Sequence, residues 1–305
     1  MKLGLMTAAF PNRSLKEVAE WASKSGFEML ELACWPIGKA TRRYAGVTTL
    51  NVEAFTQKDA DDTRAILEEN NLEISSLGYY PNPMHPDPDH RNVVINHLKK
   101  VIDAAALVMD YPIVGTFVGR DKDKNVEQNF EDFKEIWPPI VEYAGDRGVR
   151  IAIENCPMIF SIDEWPGGNN LACTPAIWQK MFEIIPYENF GLNLDPSHLV
   201  WLMIDYYQVI QDFSDRIFHV HAKDLEIDRE GLYLNGTLSM GMGWQVRRLP
   251  GLGEVDWPGF ISQLYRFGYD YVISIEHEDR KFEGTEELVK RGFYIARDVL
   301  KPYIH

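Results

Sequence analysis

The sequence IFHVHAKD, residues 217–224, is an apolar run that ends in two histidines, a lysine and an aspartate. His219 and His221 are two residues apart, so their side chains share one face of a β-strand but not one face of a helix. On a strand, both imidazoles would point into the same part of the protein. The strands around this segment therefore decide whether each histidine packs in the core or binds a metal.

Short β-like runs alternate with helix-like stretches along the whole chain, which is the pattern of a parallel α/β architecture. The runs predict eight strands, at residues 2–7, 28–34, 73–79, 112–118, 150–155, 190–195, 217–222 and 271–277. The stretches after them predict helices at residues 14–26, 52–70, 90–109, 126–147, 175–184, 199–211, 257–267 and 285–300. Eight strands, each followed by a helix, predict a closed (β/α)8 TIM barrel.

We expect one TIM-barrel domain over residues 1–305, because no repeat, low-complexity segment or linker interrupts this series. Two connections, 156–173 and 223–255, are unusually long and follow strands. This places both on the C-terminal rim, where barrel enzymes carry their binding loops. The pair Asn235 and Gly236 predicts the turn of a small β-hairpin within the second loop.

Composition argues against several classes of function. The formal net charge of −15, without a compensating basic run, disfavours nucleic acid as a partner. The chain lacks a tract of roughly 18 apolar residues that would predict a membrane span. Its N-terminus does not resemble a signal peptide, so a cytoplasmic protein is expected.

The three cysteines lack a CxxC pair. Cys156 is expected to be a small buried residue, with a reactive thiol beside Glu154 as the alternative.

Side chains able to bind a cation stand at the ends of the last four predicted strands. Alternation in these strands directs aliphatic residues to the surrounding helices and small or polar residues into the barrel. The last inward residues are Glu154, Asp195, His221 and Glu276. A closed barrel would bring all four to its C-terminal mouth, where three carboxylates without a cation would repel one another. This donor set predicts a site for Mn²⁺, Mg²⁺ or Co²⁺ rather than structural zinc.

Residues next to these four are candidates for substrate binding. The segment DPSH places His198 three residues after Asp195, as a capping histidine, a substrate hydrogen-bond donor or an additional metal ligand. Lys223 and Asp224 have charges that suit a polyhydroxylated substrate, or they form an orienting salt bridge. Sequence reasoning leaves these alternatives open.

Two aromatic residues on predicted rim loops are further candidates for the substrate site. Trp165 lies in EWPGGNN and Tyr80 opens the proline-rich segment YPNPMHPDP. Both are expected to form apolar walls against which a sugar ring packs, with ordinary loop packing as the alternative.

The whole chain resembles the xylose isomerase-like TIM-barrel superfamily, a group of sugar phosphate isomerase/epimerase proteins related to ketose 3-epimerases and inosose dehydratases. The most specific segments are IAIEN at 151–155, LNLDPSH at 192–198, HVHAKD at 219–224, PGLGEVDW at 250–257 and ISIEHED at 273–279. The resemblance implies that Glu154, Asp195, His221 and Glu276 hold one divalent cation. Mn²⁺ is the first choice, and Mg²⁺ and Co²⁺ are the alternatives.

The resemblance also implies a reaction. In ketose epimerases the cation polarises the substrate carbonyl, and two carboxylate ligands, here Glu154 and Glu276, exchange a proton with carbon through an enediolate. A metal-dependent sugar or keto-sugar isomerase or epimerase is therefore expected. The alternative is a lyase that performs β-elimination from the same enolate, as in inosose dehydratases or the catalytic subunit of a C-glycoside-cleaving enzyme. A non-catalytic sugar-binding protein is less favoured, because binding alone needs no paired glutamates.

The chain departs from the ketose epimerases at one position. They carry a substrate-binding arginine shortly after the metal histidine, and Ile227 stands near that place here. Arg247 and its neighbour Arg248, in the second long loop, are the candidates for supplying the missing positive charge, with Arg247 as the predicted substrate-binding residue. Apurinic endonucleases share the barrel but need further histidines, which the fourth strand, ending TFVGR, lacks. A carbohydrate substrate is therefore preferred, and a homo-oligomer or a partner subunit is left open.

The two histidines of segment 217–224 are thereby assigned different roles. His221 is expected at the barrel mouth, where it binds the cation. His219 is expected one layer lower, where a buried hydrogen-bonding role is favoured.

Overall fold

The computed structural model describes residues 1–38, 46–159, 168–237 and 243–305. Within these residues, eight parallel strands form a closed barrel in which each strand pairs with the next and the last pairs with the first. The barrel strands are β1 (Lys2–Met6), β2 (Met29–Ala33), β3 (Glu73–Gly78), β4 (Ile113–Thr116), β5 (Arg150–Glu154), β6 (Phe190–Leu194), β7 (Ile217–Ala222) and β10 (Val272–Ile275). The predicted TIM barrel is confirmed.

Helices connect the strands and surround the barrel. They are α1 (Leu15–Lys24), α2 (Gln57–Glu68), α3 (Pro88–Val108), α4 (Val126–Gly145), α5 (Pro175–Ile184), α6 (Pro196–Trp201), α7 (Tyr206–Phe213), α8 (Arg229–Asn235), α9 (Trp257–Arg266) and α10 (Glu286–Leu300). Ser14 and Glu17 form a capping box at the start of α1, where the predicted helix at residues 14–26 begins. Among the described residues, no helix combines the length and the apolarity that crossing a bilayer requires.

The predicted helix at 199–211 is wrong in its bounds, because two helices occupy this part of the chain. α6 begins directly after β6, where the Asp195 carboxylate accepts a hydrogen bond from Ser197 N at 2.8 Å. α7 begins separately, with Asp205 as its capping residue. Met203 lies between them at a φ of 55°, a backbone conformation that does not continue a right-handed helix.

The second long loop contains an antiparallel ribbon of two strands, β8 (Asp224–Ile227) and β9 (Gln245–Arg248). The predicted hairpin turn at Asn235 and Gly236 is wrong. Asn235 is the last residue of α8, and Gly236, at a φ of 67°, ends that helix. A hairpin turn and a helix end both use a glycine with positive φ, so the dipeptide alone did not distinguish them.

Small residues on the inner face of the barrel leave space for two larger polar side chains. A Cβ atom at Gly115 would lie 2.2 Å from the Tyr80 hydroxyl oxygen, and one at Gly78 would lie 2.7 Å from Glu31 Oε1. Large apolar side chains instead fill the layer between strands and helices, where Trp137 is fully buried. The barrel interior is therefore free to hold polar groups beneath its mouth.

Candidate metal centre

The four predicted ligands meet at the C-terminal mouth of the barrel. Glu154 ends β5, Asp195 follows β6, His221 lies in β7 and Glu276 follows β10. One donor atom from each lies within 4.8 Å of the corresponding atoms of the other three. Asp195 and His221 are completely buried, whereas the Glu276 side chain is 17% exposed and reaches the open side. The structure thus brings together the four residues that the alternation of inward- and outward-facing side chains predicted.

Several donor atoms at the mouth have no hydrogen bond with any residue in the described parts of the chain. They include Asp195 Oδ2 and both ring nitrogens of His198. His198 Nε2 lies 3.2 Å from Asp195 Oδ2 and 3.8 Å from Glu154 Oε1. These oxygen and nitrogen atoms thus have close charged neighbours but no hydrogen bond of good geometry, which fits a position where a cation would bind.

Lys223 places a positive charge among these carboxylates. Its side chain is 3% exposed, and its ammonium group lies 3.0 Å from Asp195 Oδ2 and also contacts the Glu276 carboxylate. Glu278, whose Oε2 lies 3.5 Å from Nζ, is a third acidic neighbour. Lys223 therefore offsets part of the repulsion within the cluster and can donate hydrogen bonds at the mouth.

The two glutamates at the mouth differ in acidity. Burial alone would raise the pKa of Glu154, but Lys223, His198 and His221 outweigh it and hold that pKa well below its ordinary value. Burial raises the pKa of Glu276 to about 7, with Lys223 opposing the shift and repulsion from Glu154 adding to it. Near neutral pH, Glu154 is ionised and Glu276 is partly protonated. Two carboxyl groups whose pKa values differ in this way can act as a base and an acid.

Glu31 is a buried acidic residue that sequence reasoning missed. It lies in β2, is completely buried, and its Oε2 is 2.7 Å from His221 Nε2, while Glu154 Oε1 is 2.9 Å from His221 Nδ1. Glu31 thus fixes the ring so that Nδ1 faces the mouth. A signal was present, because a glutamate in the middle of the apolar strand MLELA must have a partner.

Tyr80 is buried beneath the mouth. It is 4% exposed, and its hydroxyl donates to Glu31 Oε1 and accepts from Asn193 Nδ2 at 3.0 Å. Its ring packs against Phe117, with the ring centroids 5.2 Å apart. Tyr80 therefore supports the Glu31 carboxylate beneath the mouth, which agrees with the alternative of ordinary packing, and its predicted contact with a sugar ring stays a prediction.

His219 lies below His221, as predicted. Its Nδ1 is 3.0 Å from Asn193 Oδ1, its Nε2 is 3.2 Å from Ser75 Oγ, and the side chain is 1% exposed. Glu31 Oε2 is 3.9 Å from Nε2. Both ring nitrogens are thus occupied by neutral hydrogen-bonding partners inside the barrel.

The buried His219 predicts an acid-labile contribution to stability. Burial lowers its pKa from 6.5 to about 4. As the pH falls, this histidine is therefore protonated in the unfolded chain at a higher pH than in the native protein. The stabilisation is fully present above pH 6.5 and is lost as the pH falls towards 4. The loss is about 3 kcal/mol for a shift of this size. Thermal unfolding of metal-free protein should therefore show a pH slope in this window, which His219→Gln flattens; equal slopes in both proteins would contradict the assignment.

Asp224 is placed in the fold rather than in the substrate site. Its completely buried carboxylate accepts hydrogen bonds from Leu225 N at 2.8 Å, Val255 N at 3.0 Å, Gly251 N at 3.0 Å and Trp257 Nε1 at 2.9 Å. Three of these donors come from the two ends of the second long loop, and the fourth, Trp257, begins α9 directly after it. The predicted contact of Asp224 with substrate is therefore replaced by a structural role, because its lone pairs face the loop.

Asp224→Asn is expected to destabilise the protein by about 1–3 kcal/mol, because the amide NH₂ would face donors and leave them unsatisfied. Glu226→Gln is the matched control, since Glu226 lies on the same ribbon and is 46% exposed. That control should change the free energy of unfolding by less than about 1 kcal/mol. Denaturant unfolding monitored by circular dichroism measures both, and equal effects would contradict the role given to Asp224.

The remaining predicted substrate residues are only partly accounted for. Arg247 lies on β9, and its Nε is 3.3 Å from Glu278 Oε2, which links it to the mouth beside Lys223. Its neighbour Arg248 is turned away, with Nε 3.4 Å from Asp279 Oδ2. Trp165 lies outside the described residues, so its predicted role stays a prediction.

Comparison with known proteins assigns the chain to a family of barrels. A family model described as the xylose isomerase-like TIM barrel matches residues 19–298. The chain belongs to this xylose isomerase-like TIM barrel family. A sequence relative, the uncharacterized protein YfiH of Bacillus subtilis, is 24% identical and aligns over 92% of this chain and 93% of its own length. The resemblance inferred from the sequence motifs is thereby confirmed.

Three solved structures have a similar fold, and each alignment covers at least 99% of this chain and at least 99% of the other chain. The IolI protein with a bound zinc atom has a TM-score of 0.72 at 18% identity. D-psicose 3-epimerase with D-tagatose from Clostridium cellulolyticum H10 has a TM-score of 0.68 at 17% identity. The probable 3-DHS dehydratase AsbF from Bacillus anthracis has a TM-score of 0.69 at 17% identity. At these identities the likeness shows that the xylose isomerase-like barrel is shared.

Proposed function

We propose that this protein is a divalent-metal-dependent isomerase or epimerase of a sugar or keto-sugar. The observation that carries the proposal is the convergence of Glu154, Asp195, His221 and Glu276 at the barrel mouth, with two glutamates of unequal acidity among them. The shared fold of D-psicose 3-epimerase, solved with D-tagatose, supports a small carbohydrate substrate.

The residues at the mouth fit a divalent cation. Three carboxylates and an imidazole that converge within 4.8 Å of one another are the donors that Mn²⁺, Mg²⁺ or Co²⁺ prefers. Glu154, Asp195, His221 and Glu276 would hold the ion. When bound, the ion would supply Lewis-acid polarisation of the substrate carbonyl. The zinc atom in the IolI structure supports a divalent metal in this fold.

The two glutamates would move the proton. Glu154, ionised near neutral pH, is suited to accept a proton from the carbon next to the carbonyl, and Glu276, partly protonated, is suited to return one. Lys223 would change partners when a cation occupies the carboxylates. Its nearest remaining acidic neighbour would be Glu278, and its ammonium group would then be able to hydrogen-bond a substrate hydroxyl.

A lyase is the second candidate function, because it shares the first proton transfer. Elimination also needs an acid that protonates the leaving group. Burial opposes a charged His198, but the neighbouring Cys156 and Asp195 outweigh it and raise the pKa of His198 to about 10. This protonated ring beside Glu154 favours elimination, and the fold shared with the probable dehydratase AsbF also supports it.

Deuterium exchange distinguishes these functions. Metal-stripped protein, reconstituted with Mn²⁺, Mg²⁺ or Co²⁺, is incubated in D₂O with 3-keto-sugars, inososes and free ketoses, and the products are identified by NMR. Deuterium at carbon in a product of otherwise unchanged composition supports the isomerase or epimerase, and loss of water or an aglycone supports the lyase. Metal-stripped protein without added cation is the control. Absence of exchange with every carbonyl substrate would contradict both enzymes, and ligand binding without exchange would indicate a sugar-binding protein.

A further inference from the structure

Cys156 lies at the barrel mouth, and the isomerase or epimerase reaction proposed above gives it no role. It follows β5 by two residues and is partly exposed, contrary to the expectation of a buried cysteine. Its sulfur, a carboxylate oxygen of Glu154 and a ring nitrogen of His198 all lie within 4.8 Å of one another. A sulfur, a nitrogen and an oxygen donor thus converge on the side of Glu154 that faces His198.

His198 is an independent indication that this cluster takes a ligand. The side chain is 2% exposed, and neither ring nitrogen forms a hydrogen bond of good geometry with the parts of the chain that the structure describes. Nε2 has the Asp195 and Glu154 carboxylates nearby, at 3.2 and 3.8 Å, but burying a ring nitrogen without a well-directed hydrogen bond is costly. A cation bound to one ring nitrogen would remove part of this cost.

Hydrogen bonds hold the backbone around Cys156 in place. The side-chain amide of Asn170 donates to the carbonyl oxygens of Glu154 at 3.0 Å and Cys156 at 2.7 Å, and Met158 N donates to Cys156 Sγ at 3.3 Å. Asn170 is itself completely buried. The position of the sulfur is therefore set by the fold of the loop, as expected of a ligand that must be ready before an ion arrives.

We propose that Glu154, Cys156 and His198 form a second cation site that shares Glu154 with the four-residue site. Thiolate and imidazole donors favour Zn²⁺ or Co²⁺ over Mg²⁺ or Mn²⁺. Three protein ligands leave one tetrahedral position open, which is the coordination typical of a reactive rather than a structural ion. The second site goes beyond the proposed function, because it concerns a further ion and not the fate of the sugar.

Cobalt titration tests this site by its spectrum. Co²⁺ is added to metal-stripped protein, and sulfur-to-cobalt charge transfer is followed in the near-ultraviolet while bound cobalt is counted by elemental analysis. Wild-type protein should bind two ions per chain and develop the charge-transfer band. Cys156→Ser should bind one ion and lack the band. Cys173→Ser is the matched control, which should retain both ions and the band.

A further variant separates the two sites. Glu276→Gln changes the four-residue site and leaves all three ligands of the second site intact, so the band should persist in it. The inference is overturned if wild-type protein lacks the band, if Cys156→Ser retains it, or if Glu276→Gln abolishes it, since the thiol would then bind the first ion. Circular dichroism confirms that each variant is folded. The spectrum is recorded without substrate. The test of the second cation site therefore gives the same answer whether or not the proposed sugar reaction takes place.

Discussion

Glu276→Gln is expected to reduce turnover by about 10²- to 10⁴-fold, the contribution of a positioned acid–base group. Glutamine keeps an oxygen that can bind a cation but cannot carry the proton. Burial raises the pKa of Glu276 to about 7, which makes this residue the better proton donor of the pair. Glu154→Gln should cause a loss in the same range, because it removes the proposed base. Both variants should still bind substrate in part.

The matched control for these variants is Glu278→Gln. Glu278 Oε2 lies 3.5 Å from Lys223 Nζ, yet this residue is not among the four converging ligands. Its replacement should change turnover far less than that of Glu154 or Glu276. Initial rates at saturating Mn²⁺, with metal content and substrate affinity measured on the same samples, separate lost proton transfer from lost metal. Turnover that persists in both Glu154→Gln and Glu276→Gln would show that the proton is carried by other groups.

His221→Ala is expected to abolish binding of the first cation, whereas His219→Ala should retain it. His221 Nδ1 lies 2.9 Å from Glu154 Oε1 at the mouth, so its loss removes a ligand of the proposed site. His219 is directed to Asn193 and Ser75 below that level. The effect of His221→Ala should exceed the 10- to 100-fold loss of affinity that is typical when a partner of a ligand is removed.

Isothermal titration of metal-stripped protein with Mn²⁺ measures this difference, and thermal unfolding tests whether each variant is folded. Mn²⁺ is chosen because the sulfur-containing second site is expected to bind this ion weakly. His219→Ala should lower the unfolding temperature, since it removes a buried side chain and leaves Asn193 and Ser75 without their partner. Comparable loss of Mn²⁺ in both variants would reject the division of roles between the two histidines.

Local patterns in the sequence were enough to predict the barrel and the convergence of four candidate ligands at one end of it; binding of a cation by these four stays a prediction. Hydrophobic alternation in each strand depends on nearest neighbours along the chain, so it correctly indicated which residues point inward. The capping box at Ser14 and Glu17, which starts α1, likewise depends only on residues close together in the chain. The same alternation predicted that Glu154 and Glu276 lie together at the C-terminal mouth, because closing the barrel brings the strand ends together.

Local patterns failed where two structures use the same residues. Asn235 and Gly236 satisfy the backbone demands of a hairpin turn as well as those of a helix end. The break between α6 and α7 at Met203 was missed because neither proline nor glycine marks it. Choosing between such alternatives requires the packing of the surrounding chain.

Only the tertiary structure decided the environment of each polar side chain. Glu31 and His221 are 190 residues apart in sequence yet 2.7 Å apart across the barrel, and Tyr80 meets Glu31 through the space left by Gly115. Asp224 was a predicted substrate ligand, but its carboxylate accepts hydrogen bonds from three donors of the rim loop and from Trp257 of α9. A sequence shows which face a residue occupies, because that depends on its neighbours. Its partners depend on ring closure and on the paths of loops from distant strands, which the three-dimensional fold alone determines.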